Sequence, residues 1–246
     1  MWSREILKAR AKNALRGRYW IAFLVCLIAE VIGTGLAFTT GLGRNHSGGS
    51  LESLPSFGYL TPMSVFIIIS ILITVFFFAV IISSAYSFLV ALPLAAGKSK
   101  FFLQNRNGEG EIGQLFYAFK SGRYIAIVKS MAWRLLFNAL WFLLFIIPGI
   151  VKSYSYLLVP YILADNPNIG YRRALKLSIE MTDGYKFKIF ILQLSFIGWY
   201  LLGSLCFFVG VLFVKPYYDA TFAEMYVEIR DCAVESGICT REELNL

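Results

Sequence analysis

The chain has 246 residues, of which 58% are hydrophobic and only 15% are charged, and its mean hydropathy is +0.65. Soluble domains usually contain about a quarter charged residues, so this composition excludes a soluble globular protein and predicts an all-α integral membrane protein. The net charge is +8, and the basic residues flank apolar runs. This arrangement favours a lipid bilayer with anionic phospholipids at its cytoplasmic face as the partner, and it argues against nucleic acid.

Five apolar runs follow one another along the chain, at residues 19–40, 62–96, 125–147, 150–164 and 187–214. A helix of about 20 apolar residues crosses a hydrocarbon core, so we interpret the first run as a retained span and not as a cleaved signal peptide. The second run exceeds one crossing, which predicts tilt or protrusion. Pro148 and Gly149 separate the third run from the fourth. The last run forms either one long tilted helix or two short helices that turn near residues 199–203.

The distribution of Lys and Arg favours six spans over five. Cytoplasmic segments of membrane proteins collect basic residues. Six spans with both termini in the cytoplasm place 20 of the 23 basic residues on that side. Five spans would instead place Lys215 and the polar tail, residues 231–246, outside. We therefore predict six transmembrane helices within a single membrane domain, residues 1–246, with five as the alternative.

Three stretches of the chain resemble one another. Each has an amphipathic segment, then a glycine, a basic-aromatic step and an apolar run, and the glycines are Gly17, Gly122 and Gly184. The pattern predicts helices that lie in the membrane plane and end at these glycines; the third would begin at Asn166 and Pro167. Each returning span has a proline near its cytoplasmic end that permits a bend, and these are Pro93, Pro160 and Pro216.

These similarities predict three parallel helix-hairpin repeats, at residues 1–97, 98–164 and 165–230. Any symmetry axis would then lie along the membrane normal. Chance similarity among basic-aromatic membrane borders is the alternative interpretation.

Charged residues within the apolar runs are the candidate functional residues. Glu30 lies 13 residues after Gly17, and Arg134 lies 12 residues after Gly122, so the repeat places opposite charges at similar depth. A lone charge at the bilayer centre costs about 3 kcal/mol, which favours a Glu30–Arg134 pair. Together with Lys152 the pair would line a polar cavity. In the alternative, Arg134 extends to the membrane surface and Glu30 is protonated.

Few other residues carry reactive chemistry. His46 is the single histidine, and the four cysteines form no CxxC pair, whereas a structural zinc site needs about four ligands at close spacing. The sequence contains no P-loop and no GxSxG motif, and one histidine supports no convincing catalytic triad. We therefore expect no metal, no other cofactor and no enzymatic activity.

Several motifs resemble a known family when they are taken in order. They are Ile147-Pro-Gly-Ile150, Tyr154-Ser-Tyr156, the stretch from Pro160 to Pro167, Ala174-Leu-Lys-Leu-Ser178 and the stretch from Leu194 to Trp199. Over nearly the whole chain the sequence is similar to the uncharacterised bacterial membrane family called domain of unknown function 975. This resemblance implies a multi-pass protein of the bacterial plasma (inner) membrane and assigns no activity to any residue.

A more distant resemblance links the Ile-Pro-Gly-Ile step and the Ala-Leu-x-x-Ser helix to the membrane portion of some glycerophosphodiester phosphodiesterases. The catalytic domain of those enzymes has no counterpart in this sequence, so only an accessory or anchoring analogy follows.

Three functions follow as hypotheses. The first is transport or lipid handling through a small polar cavity. The second is a membrane scaffold or accessory protein that organises partners or anionic lipids. The third is a lipid-modifying enzyme, which would require Asp165, Asp183 and Asp219 to cluster at the cytoplasmic face.

Overall fold

A computed structural model describes residues 3–34, 62–120, 122, 124–205 and 209–246, and within these ranges the chain is helical, without strands. The α-helices are α1 Arg4–Leu15, α2 Tyr19–Thr34, α3 Pro62–Tyr86, α4 Leu92–Asn105, α5 Tyr117–Lys120, α6 Tyr124–Leu144, α7 Ile146–Ser155, α8 Val159–Asp165, α9 Tyr171–Thr182, α10 Lys186–Leu194, α11 Ile197–Leu205 and α12 Val209–Glu235. A π-helical turn, Ser87–Ala91, joins α3 to α4, and 3-10 turns form Ile112–Phe116 and Glu242–Leu244.

Four helical stretches of the described chain are long and apolar enough to cross a membrane: Val65–Asn105, Tyr124–Leu144, Ile146–Asp165 and Lys186–Leu205. A shorter apolar helix covers Tyr19–Ile32. Residues 35–40 of the first predicted run, and His46, lie outside the described residues. The prediction of an all-helical membrane protein is thus confirmed, while the number of six spans stays a prediction.

The second apolar run forms a continuous helical rod from Pro62 to Asn105. At 1.5 Å per residue the rod is about 65 Å long, twice the thickness of a hydrocarbon core. The predicted end at Ala96 is wrong, because α4 continues past Lys98 and buries Phe101 and Phe102 in the protein core. The described side chains of α3 are almost all exposed, as expected for a surface that lipid covers.

The hairpin between α6 and α7 turns at Phe145, whose backbone is extended, with φ −155° and ψ 143°. The predicted break at Pro148 and Gly149 is wrong, since both residues lie in the first turn of α7. Proline is tolerated there because the first N–H groups of a helix have no partner within the helix. Gly149 permits close packing, since a Cβ atom at this position would lie 2.7 Å from the ring of Phe142.

Of the two alternatives for the last apolar run, the described residues fit separate helices and not one long helix, but the predicted turn near residues 199–203 is wrong. Residues 199–203 lie inside α11, and the described helices stop at Leu205 and resume at Val209. A smaller irregularity at Ser195 and Phe196 separates α10 from α11. The glycines Gly203 and Gly210 face each other so closely that a Cβ atom on Gly210 would lie 2.7 Å from the Cα atom of Gly203. Glycine at both positions therefore allows α11 and α12 to pack backbone against backbone.

The buried core forms where α1, α4, α8, α9 and α12 meet. Each of these helices contributes fully buried side chains, and examples are Leu7, Phe101, Leu163, Leu177 and Tyr226. The long helix α12 is central, because it packs against α1, α2, α4, α9 and α11. Burial of apolar side chains at this junction is the main source of tertiary stability.

The three predicted cap glycines follow helix ends. Gly17, Gly122 and Gly184 each come two residues after the last residue of α1, α5 and α9, with φ values of +80°, +63° and +74°. Positive φ values favour glycine, and they reverse the chain before the next helix begins. The predicted start of the third amphipathic helix at Asn166 is wrong, because α9 begins after Gly170. Asn166 instead accepts a hydrogen bond from the Asn168 N–H group at 2.9 Å, which forms a local turn.

The three prolines occupy different positions in their helices. Pro93 lies in the first turn of α4, directly after the π-helical turn, and Pro160 lies in the first turn of α8. Pro216 lies inside α12. Helix irregularities therefore coincide with the first two prolines, whereas the third lies within a helix that continues on both sides.

The polar C-terminal segment is docked on α9. The Arg173 guanidinium donates to both carboxylate oxygens of Glu243, at 2.5 and 3.1 Å, and to the Ile238 carbonyl at 3.0 Å. The Asn166 side chain donates to the Glu243 carbonyl at 2.9 Å, and Leu244 is fully buried. These contacts attach the end of the chain to the start of the third hairpin.

Docking of this segment should depend on pH. Hydrogen bonds from Arg173 lower the pKa of the Glu243 carboxyl below its ordinary value. The stabilisation is therefore present above the unfolded pKa, about 4.3, and is lost as the pH falls through the lower folded value. We expect hydrogen-exchange protection factors of residues 237–246 to fall below about pH 4. Glu243→Gln should lower them already at pH 7, whereas Glu242→Gln, at the exposed neighbouring position, should not; equal effects of the two variants would contradict this assignment.

Candidate functional site: a polar cluster between the helices

A buried ion pair joins α4 to α12. The Lys98 ammonium donates to Asp219 Oδ2 at 3.0 Å, and the side chain of Asp219 is only 9% exposed. The thiol of Cys26, on α2, donates to the same oxygen at 3.4 Å. One carboxylate oxygen thus receives an ammonium and a thiol from two other helices.

A second ion pair joins α2 to α12. Glu30 accepts from the Lys215 ammonium. Glu30 lies one helical turn after Cys26, and Lys215 lies one turn before Asp219, so the two carboxylate-centred groups are neighbours on these helices. The partner of Glu30 is therefore Lys215, and the predicted pairing of Glu30 with Arg134 is wrong.

Tyrosine side chains of α11 and α12 lie beside these ion pairs. Tyr200 and Tyr218 line the same groove as Lys215, and their rings meet edge to face, with centroids 5.9 Å apart. We call the following residues the polar cluster: Cys26, Glu30, Lys98, Tyr200, Lys215, Tyr218 and Asp219.

The polar cluster draws on the first and third predicted hairpins. Its members come from α2 and α4, and from α11 and α12. Arg134 lies on α6 and forms no ion pair with Glu30 in the described part of the chain. Lys152 also lies outside the cluster, with its ammonium 5.0 Å from the centre of the Trp141 ring.

A groove of about 480 Å³ opens beside the polar cluster. Its polar wall contains Lys215 and Tyr218, together with a hydrogen bond of 2.9 Å from the Tyr154 hydroxyl to Gln193 Oε1. Its apolar wall includes Phe190 and Leu194. An amphiphilic or partly desolvated ligand that enters this groove reaches Lys215, which is also the partner of Glu30.

Two further ion pairs hold α12 beside the cluster. Arg106 binds both carboxylate oxygens of Glu224, at 3.1 and 3.3 Å, and the Glu224 side chain is 5% exposed. Arg230 binds Asp165 at 3.2 Å, and the Tyr226 hydroxyl donates to the same carboxylate at 2.8 Å. The charged groups of these two ion pairs bind each other, so we assign both pairs to stabilisation of the fold.

The three aspartates of the enzyme hypothesis have separate partners. Asp165 binds Arg230 and Tyr226, Asp219 binds Lys98, and the exposed Asp183 lies 3.7 Å from the Lys186 ammonium. Within the described chain, no three His, Cys, Asp or Glu side chains gather into a group that could hold a metal ion.

The centre of the polar cluster is not predicted by the hydropathy pattern. That pattern assigns Lys98 and Lys215 to the membrane border, and it indicates only a cap or border role for Asp219. One signal is present in the sequence: Lys98 lies five residues after Pro93, and Asp219 lies three residues after Pro216. A comparison of the returning helices aligned on their prolines places these opposite charges at similar depth.

The fold and the polar cluster together define an all-helical membrane protein with an ionisable group of side chains between its helices. A family model described as "Protein of unknown function (DUF975)" matches residues 50–233, so the chain belongs to this family. No curated protein and no solved structure matches the chain. The distant likeness to the membrane portion of glycerophosphodiester phosphodiesterases stays a prediction.

Proposed function

We propose that this chain is a multi-pass protein of the bacterial plasma membrane that moves protons through the polar cluster, without enzymatic chemistry. The observation that carries the proposal is the joint contribution of α2, α4, α11 and α12 to one group of charged and phenolic side chains. Ionisable groups within membrane segments are costly and commonly mark ion pathways.

The Asp219 carboxylate provides the exchangeable site in this proposal. Its Oδ2 atom already accepts from the Lys98 ammonium and the Cys26 thiol. A proton that binds this oxygen competes with Lys98 and weakens the ion pair. Lys215 and Glu30 form the next ion pair along α2 and α12. A proton that leaves the Lys98–Asp219 pair therefore meets a second pair of a lysine with a carboxylate.

The topology that we propose has six spans with both termini in the cytoplasm. The three hairpins are α2 with α3 and α4, α6 with α7 and α8, and α10 and α11 with α12. Each hairpin follows a glycine with positive φ, at Gly17, Gly122 or Gly184. Even without Lys98 and Lys215, which belong to the polar cluster, 18 of the 23 Lys and Arg residues lie in segments assigned to the cytoplasm, and this concentration supports the orientation.

Lipid handling is the second candidate, and one observation favours it. The groove beside Lys215 combines a polar wall with an apolar wall, a pattern that suits a lipid headgroup with its acyl chain. A scaffold role rests instead on basic residues that lie over surface aromatic rings, such as Lys188 over Tyr185 at 5.3 Å.

Replacement of Asp219 tests the proposal. Liposomes that contain the purified full-length protein and the trapped pH dye pyranine should acidify under an imposed membrane potential faster than protein-free liposomes. Asp219→Asn removes the charge that binds Lys98, so we expect its rate to return to the protein-free rate. Glu228→Gln is the matched control, because Glu228 also lies on α12 but binds Arg10 at the surface, where its side chain is 26% exposed.

The outcomes separate the three candidate functions. Dye-detected flux in the wild type that Asp219→Asn abolishes and Glu228→Gln preserves supports the ion pathway. Movement of fluorescent phospholipid between leaflets, without proton flux, supports lipid handling and contradicts the ion pathway. Protein-free rates in both assays favour the scaffold and contradict both other functions.

A further inference from the structure

A second groove, of about 380 Å³, lies between α6 and α9, away from Asp219 and its partners. Its wall is a continuous aromatic stack. The rings of Tyr171 and Trp133 are parallel within 16°, with centroids 5.5 Å apart, and Trp133 stacks in turn on Phe137, also at 5.5 Å. Leu175, which is 6% exposed, forms part of the floor. The groove therefore offers a long apolar surface.

Two cations border one end of this stack. The Lys129 ammonium lies 5.0 Å from the centre of the Tyr171 ring, and the Arg172 guanidinium lies 5.7 Å from it. The Arg172 Nε–H group also donates to the Tyr171 hydroxyl, at 3.0 Å. Both cations are thus held by the same aromatic side chain.

Neither cation forms an ion pair with a carboxylate in the part of the chain that the structure describes. The acidic residue of this region, Glu180, binds Arg173 at 3.0 Å and lies 3.7 Å from Lys176. Glu180 therefore neutralises other cations of α9. Lys129 and Arg172 provide two positive charges, with an apolar stack beginning beside them.

Lys129 lines the adjoining groove, which shares Trp133 with this one. We propose that the two-sided aromatic stack binds an anionic phospholipid, with its phosphate at the Tyr171 end between Lys129 and Arg172 and an acyl chain along Trp133 and Phe137. Arginine and lysine bind phosphate through charge-assisted hydrogen bonds, and cations that are already positioned lose less conformational entropy on binding. The acyl chain packs against the aromatic surface of α6 by van der Waals contact, as apolar groups do within a bilayer. The proposal does not depend on the function of the polar cluster.

A phospholipid fits the groove better than its rivals. A free phosphate ion would leave the apolar stack uncovered. The order of residues along α6, with Lys129, Trp133 and Phe137 one turn apart, places charge at one end and apolar surface at the other. An anionic lipid has the same order of chemistry along its length.

Native mass spectrometry of the full-length protein in detergent tests the proposal with two lipids, phosphatidylglycerol and phosphatidylcholine with identical chains. We expect the wild type to bind phosphatidylglycerol about tenfold more tightly, since two basic residues each add a modest attraction for an anion. The double variant Lys129→Gln, Arg172→Gln should lose this preference. The double variant Lys129→Arg, Arg172→Lys should keep it, which separates lost charge from misfolding.

The matched control is the double variant Lys100→Gln, Lys188→Gln. It also removes two cations that lie over tyrosine rings, those of Tyr117 and Tyr185, at 5.5 and 5.3 Å. The control should retain the preference for phosphatidylglycerol. Equal loss in both glutamine double variants would show general charge attraction and overturn the site. Displacement of the lipid by glycerol 3-phosphate, which has no acyl chain, would also overturn it, as would unchanged binding in the Lys129→Gln, Arg172→Gln protein.

Discussion

Gly97→Ala should destabilise the protein severely. Gly97 lies on α4 against the 3-10 turn Ile112–Phe116, and a Cβ atom at this position would overlap the Leu115 carbonyl group, lying 2.6 Å from its carbon. The obstacle is backbone, so no side-chain rotation relieves the overlap, and α4 and the turn must separate. We expect the free energy of unfolding, measured by SDS titration of the purified protein, to fall by about 3 kcal/mol, the upper end of typical overpacking costs.

The matched control is Gly198→Ala. Gly198 lies in α11, where a Cβ atom would have no neighbour within 4 Å. Alanine is a better helix former than glycine, so we expect this variant to be unchanged or more stable by about 0.5 kcal/mol. Equal stability of the two variants would show that the α4 contact with the 3-10 turn is not close.

Asp165→Asn should also have a large effect. Asp165 and Arg230 form an ion pair with side chains that are only 8% and 13% exposed. Removal of one partner leaves a poorly solvated charge, which typically costs about 3 kcal/mol. We expect a loss of this size in the SDS titration, because the substituted amide would retain the hydrogen bond from Tyr226 but not the charge that neutralises Arg230.

Two further variants check this interpretation. Asp231→Asn removes the second partner of Arg230, whose side chain is 58% exposed, so its cost should stay below about 0.5 kcal/mol. The double variant Asp165→Asn, Arg230→Met removes both buried charges and should recover part of the lost stability. If the double variant is less stable than Asp165→Asn alone, the buried charge is not the cause.

The sequence predicts which segments of this protein lie in lipid better than it predicts which residues contact one another. Apolar runs reflect burial or lipid exposure residue by residue, so they predict where the helical segments lie, although α4 and α12 extend well beyond the apolar runs that predict them. The glycines after α1, α5 and α9 were also recognisable, because a positive φ value restricts the residue type locally.

Turns and pairings were less predictable for identifiable reasons. Pro148 and Gly149 have the composition of a turn, yet proline is also compatible with the first turn of a helix, and Gly149 is needed for its contact with Phe142. The pairs Lys98–Asp219 and Glu30–Lys215 join residues more than 100 positions apart. Which cation meets which carboxylate depends on helix packing, and hydropathy carries no information about packing.

The ion pairs of α12 have a consequence for biosynthesis. Ion pairs join α12 to earlier parts of the chain. Four of them are Asp219 with Lys98, Glu224 with Arg106, Glu228 with Arg10 and Lys215 with Glu30. In each case the earlier residue leaves the ribosome long before its counterpart. These four ion pairs therefore cannot form until α12 is translated, and a product released before that point would lack all four pairs.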